Sequence, residues 1–140
     1  MSPYLKPNRL QDIIGAIQVM GSYREYKMSI DDWKEIIENN PLSAGSWSDV
    51  FAEHPEFFRK NDKGLFSLMW RKGMPHEQGS RAPLSSDQTA ALLDTALQFH
   101  TKAVEDRREK RWWIPILASV FAAITAFTGA LVGGLLRARP

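Results

Sequence analysis

The side chains able to carry chemistry are few and widely spaced. Three histidines, His54, His76 and His100, fall in three separate segments with no HxxxH or HExxH spacing. Zinc needs several ligands converging on one point, so no metal site is expected. His54, just before Pro55, is expected to satisfy a backbone group at a helix end, and His100 to lie on one face of a long helix. Asp31 and Asp32 follow Ser29 and fit the first turn of a helix, where the dipole favours carboxylates, better than a catalytic acid–base pair. There is no cysteine, which removes disulfides, thiolate nucleophiles and cysteine metal sites. GxSxG, Walker and GxGxxG patterns are missing as well. The expectation is a protein that is not an enzyme and uses no cofactor.

What remains is charge. Residues 1–75 carry ten Lys/Arg and ten Asp/Glu, so the surplus behind the formal net charge of +2 lies in 76–140. Within the neutral part, Arg59, Lys60, Lys63, Arg71 and Lys72 crowd into one short stretch. They are expected on a β-hairpin, where they either keep its edge from aggregating or contact an anionic partner.

These residues must be positioned by a small domain. Asn8 with Gln11 reads as a capping box opening a first helix over 9–20, with Leu10, Ile13, Ile14, Ile17 and Met20 on one face. The stretch SYREYKM reads as a short extended segment. Ser29 with Asp32 opens a second helix carrying Ile30, Trp33, Ile36 and Ile37, closed by Asn39, Asn40 and Pro41. Ser46 caps a third, with Trp47, Val50 and Phe51, that ends near His54. Two strand-like runs, 57–60 and 65–72, then flank the turn NDKG.

Three short helices followed by a hairpin, with WSDVFAEHPEFFRKNDKGLFSLMWR at their junction, resemble the end of a winged-helix domain, where a third helix leads into a β-wing. The resemblance is at the level of fold and covers about 8–73. It implies DNA binding through the third helix and the wing. The third helix instead bears Asp49 and Glu53 and no Lys or Arg, whereas binding energy for DNA comes largely from neutralising phosphates. Nucleic acid is therefore not the expected partner.

Residues 74–85, rich in Gly, Pro and Ser, read as a flexible linker after the 1–73 domain. Ser85 and Gln88 form a capping box for an amphipathic juxtamembrane helix over 86–111, with Ala90, Leu93, Leu97, His100 and Val104 on one face, backed by Ala96 and Ala103. The next 25 residues, 112–136, contain no ionisable side chain. As a helix they would measure about 37 Å, against roughly 30 Å for a bilayer's hydrocarbon core, so a transmembrane helix is predicted. Lys102, Arg107, Arg108, Lys110 and Arg111 precede this span, and only Arg137 and Arg139 follow it in the tail 137–140. That asymmetry places the domain in the cytoplasm and the C-terminus outside or in a lumen, a tail-anchored, single-pass topology with Trp112 and Trp113 as interfacial anchors. Ala122, Ala126, Gly129 and Gly133 line up small residues for helix pairing, with a second copy or another membrane helix.

The sequence thus predicts a mainly α chain: a winged-helix-like domain, linker, juxtamembrane helix and one membrane helix. The function expected is a non-enzymatic adaptor whose partners are the lipid bilayer and another protein. The alternative is a membrane-bound winged-helix transcription regulator.

Overall fold

The computed structural model describes residues 2–109. A 3₁₀ turn at Pro3–Leu5 leads into α1 (Arg9–Ser22). The expected capping box is not formed: Asn8 sits in the left-handed region at φ 61° and its side chain makes no cap bond. What secures α1 is packing, because Ile13, Ala16, Ile17 and Met20 recur at helical spacing and are all fully buried.

The next start signals are seated as read. After β1 (Lys27–Met28), Ser29 Oγ accepts from the Asp32 N–H at 3.2 Å and opens α2 (Ile30–Ile37). Ser46 does the same for Asp49, at 3.2 Å, and opens α3 (Trp47–Glu53). α2 ends at Glu38 in the left-handed conformation, ahead of the predicted stop at Asn39.

β2 (Phe58–Lys60) and β3 (Phe66–Leu68) form the predicted hairpin. Its turn is set by Asn61, whose Oδ1 accepts from the N–H groups of Lys63 and Leu65 at 3.0 and 2.8 Å, and by Gly64 at φ 78°. β1 adds to the other side of β3, giving an antiparallel sheet in the order β1-β3-β2. Phe58, Phe66 and Leu68 turn to the core with Trp33 and Phe51, and the Phe51 and Phe58 rings lie 4.5 Å apart. Trp33 is buried without penalty because its indole N–H donates to the Phe66 carbonyl at 3.0 Å.

The chain departs from expectation after Leu68. β3 does not run on to Lys72; Met69 N–H donates to the Phe57 carbonyl at 2.7 Å and Met69–Gly73 coils into a 3₁₀ turn. Nor is 74–85 a flexible linker. β4 (His76–Glu77) and β5 (Ser80–Arg81) form a second hairpin about Gln78 and Gly79, both at positive φ as a tight two-residue turn requires. Ala82 and Leu84 are buried, and Leu84 N–H donates to the Gly21 carbonyl at 2.9 Å.

α4 (Ser86–Glu109) opens on the predicted capping box, Gln88 N–H to Ser85 Oγ at 3.2 Å and Ser85 N–H to Gln88 Oε1 at 2.9 Å. Its buried stripe joins the expected backing residues Ala96 and Ala103 to Leu92 and is rotated from the rest of the predicted face: Leu97 is 46% and Val104 38% exposed. One compact unit runs over Met1–Ala103, beyond the expected boundary at 73; of the second, Val104–Pro140, the described part is the end of α4. Arg107 and Arg108 are exposed in that last turn.

The described chain is mainly helical, and this combination of short helices and hairpins is not diagnostic of a winged helix. No helix among the described residues is long and apolar enough to cross a membrane. The predicted span 112–136 and tail 137–140, with Lys110, Arg111, Trp112, Trp113, Ala122, Ala126, Gly129 and Gly133, lie outside the described residues.

Candidate functional site

Antiparallel register decides which charges meet. Ser67 is paired with Lys27 on one side and Arg59 on the other, and directly opposed residues share a sheet face. Phe66 and Leu68, its neighbours in β3, are buried, so the row Lys27–Ser67–Arg59 lies on the outward face. Lys72 is brought to the same place by the 3₁₀ turn that replaces the end of the expected strand. These four residues, with Tyr26 and Asp62, line a groove of about 240 Å³. Ser67 is half-buried there, while Lys27, Arg59 and Lys72 are exposed. The Lys27 ammonium lies 5.2 Å from the Tyr26 ring centroid. None of the ion pairs formed among the described residues involves Lys27, Arg59 or Lys72. Three cations around one concavity repel each other, and an anion placed among them relieves that repulsion.

Of the five basic residues expected to act together, only Arg59 and Lys72 line this groove. Lys60 is opposed to Phe66, with its ammonium 5.5 Å from that ring centroid, which places it on the other face from Arg59. Lys63 belongs to the hairpin turn. Lys27 and Ser67 were not picked out in the sequence, because only the pairing of β1 with a strand far along the chain brings them together.

Arg71 corrects the prediction most sharply. It is 0% exposed, and its five guanidinium N–H groups reach six backbone carbonyls, three of them sharing Nη1. These are Met20 in the last turn of α1, Tyr23, Arg24 and Glu25 just after it, Arg81 at the end of β5 and Ala82 beyond it, at 2.5–3.3 Å. Burial presses its pKa downward and Glu25 opposes that, but a guanidinium keeps its charge in proteins. Its work is to close the domain.

A second polar cluster has the residue types of acid–base chemistry but not the access. Tyr4 O–H donates to Glu56 Oε1, and His54 Nδ1 lies 3.0 Å from the same oxygen. The Tyr4 and His54 rings meet edge-on at 4.6 Å. Burial lowers the His54 pKa against the pull of Glu56, and burial followed by Glu56 raises that of Tyr4. Burial would raise Glu56, yet the bonds from Tyr4 and His54 hold it below the usual carboxylate range. His54 is fully buried and its Nε2 has no partner among the described residues, so no edge of the ring is presented to a substrate. His54 is thus tied to Glu56 rather than to a backbone group, and its cluster clamps the N-terminal turn onto the end of α3.

Neighbouring contacts reinforce the clamp. Lys6 reaches Glu53 at 2.5 Å and lowers its pKa, Arg9 reaches it at 3.0 Å, and His100 of α4 donates to the Tyr4 carbonyl at 3.0 Å. Asp12 is also buried and accepts from the N–H groups of Leu42 and Ser43 at 2.9 and 2.8 Å. Among the described residues, no group of three or more His, Asp or Glu side chains is placed to hold a metal. No protein family, curated protein or solved structure matches the chain. The basic groove is therefore the best candidate site, on its own geometry.

Proposed function

We propose that this chain is a membrane-tethered, non-enzymatic interaction module. Its N-terminal domain docks an acidic protein partner in the Lys27–Arg59–Lys72 groove. The apolar stretch 112–136 anchors it in the lipid bilayer with the domain on the cytoplasmic side, and Ala122, Ala126, Gly129 and Gly133 pair that helix with another. The observation that carries the docking role is the convergence of three exposed cations, without carboxylate partners among the described residues, around half-buried Ser67. The anchor and its orientation are supported by the uncharged run and by the basic residues crowded before it.

A transcription regulator is the weaker reading. α3 carries Asp49 and Glu53 and no basic residue, and Lys60 and Arg71 are turned away from the groove. A duplex contact would need several phosphates neutralised along a surface rather than at one concavity. Site-directed photo-crosslinking from position 67 of the full chain in native membranes separates the two. A discrete protein adduct that disappears in the Arg59→Gln variant is expected; an adduct to DNA would overturn the proposal.

A further inference from the structure

Resting on that docking role, we propose that the groove takes a phosphate monoester, carried on a serine or threonine of the partner protein. The charge balance favours it. Lys27, Arg59 and Lys72 against Asp62 leave a surplus of two positive charges in one groove. A phosphorylated side chain brings about −1.5 to −2 charges at neutral pH and three strong acceptor oxygens, where a carboxylate brings one charge. The donors match in kind: Arg59 can present a bidentate fork, Lys27 and Lys72 act as point charges, and the Ser67 and Tyr26 hydroxyls add neutral donors.

Shape selects a peptide over a flat lipid surface. Half-buried Ser67 lies between exposed cations, so the anion must be small and reach in on a stalk. A groove of about 240 Å³ has room for a phosphate and the short stem of a serine or threonine. Two of the cations, Lys27 and Arg59, also sit on the outer strands, since β1 and β2 are the edges of the sheet. An extended segment laid along β2 would bring alternate side chains to the Arg59 face.

The test is fluorescence anisotropy of the full chain in detergent micelles with a labelled Gly-Ser-Gly-phosphoSer-Gly-Ser-Gly peptide. The comparison probes are its unphosphorylated twin and a twin with glutamate at the centre. Inorganic phosphate, phosphatidylserine vesicles and a 20-base-pair DNA duplex serve as competitors. The phosphopeptide should bind at least about tenfold more tightly than either twin and be displaced by inorganic phosphate. Arg59→Gln and Lys72→Gln should each weaken it by about tenfold, with thermal midpoints unchanged. Lys63→Gln should have no effect. Affinity should fall between pH 7.5 and 5, because the phosphate takes up its second proton near about pH 6 and no histidine lines the groove. Equal binding of the phosphoserine and glutamate peptides, both dependent on Arg59, would overturn the phosphate assignment and leave the docking role standing. Absence of binding by all three peptides would overturn both. Stronger Arg59-dependent binding to the vesicles or the duplex would overturn the peptide assignment in favour of that ligand.

Discussion

Arg59 and Arg71 belong to the same predicted hairpin, yet they end in opposite environments. Arg59 stands on the outward face opposite Ser67, exposed and unpaired among the described residues. Arg71 lies past the end of β3, where the chain coils inward, and six carbonyls surround its guanidinium. Position relative to one strand end converts an exposed charge into a structural one. A cluster of basic residues in sequence is therefore not a surface until each member's backbone partners have been counted.

Breaking the buried member should have the largest effect. Arg71→Met removes the guanidinium from six backbone carbonyls, of which, among the described residues, the Arg24 carbonyl alone keeps a side-chain donor, Ser80 Oγ at 3.1 Å. The expected loss is about 3–5 kcal/mol, a large part of the roughly 5–15 kcal/mol that holds a domain together. Denaturant unfolding of the variant measures it. A loss below about 1 kcal/mol would mean that water replaces the guanidinium and that Arg71 does not close the domain.

Acidification tests the other buried cluster with a smaller effect. The folded-state pKa of His54 lies below its ordinary value of about 6.5, so the unfolded chain binds the proton first as pH falls. Stability contributed by neutral His54 is present above that value and is lost as pH drops from about 6.5 toward the folded pKa. Glu53 and Glu56 are lowered too, from 4.5, so their contributions hold above that pH and are lost below it. Thermal midpoints between pH 8 and pH 2 should fall in two stages, one from about pH 6.5 downward and one below about pH 4.5, and His54→Gln should remove the upper one. A midpoint that rises toward pH 5 would contradict the clamp described for Tyr4, His54 and Glu56.

Local signals were legible in the sequence and distant ones were not. Ser29, Ser46 and Ser85 cap helices through bonds to residues three positions on, and Asn61 with Gly64 builds its turn within five residues. The failures have a common cause. Asn8 satisfied the capping pattern, but its backbone is held in the left-handed region, where the side chain makes no cap bond. The second hairpin pairs polar residues, His76 with Arg81 and Glu77 with Ser80, and so has no hydrophobic alternation to announce it. The Arg71 carbonyls come from residues 20–25 and 81–82, and Lys27 reaches the groove only because β1 pairs with β3. α4 buries Leu92 with Ala96 and Ala103 instead of the face carrying Leu97, because the packing surface is supplied by the rest of the domain.

The smallest expected effect on stability belongs to the residue with the largest expected effect on docking. Arg59→Gln removes an exposed charge, so its unfolding free energy should stay within about 0.5 kcal/mol of wild type. The decisive measurement is made on one preparation of the full chain: the thermal midpoint of Arg59→Gln together with its crosslinking yield from position 67. An unchanged midpoint with the protein adduct lost is the predicted result. A lowered midpoint with the adduct retained would place Arg59 with Arg71 as a structural residue and contradict the docking groove.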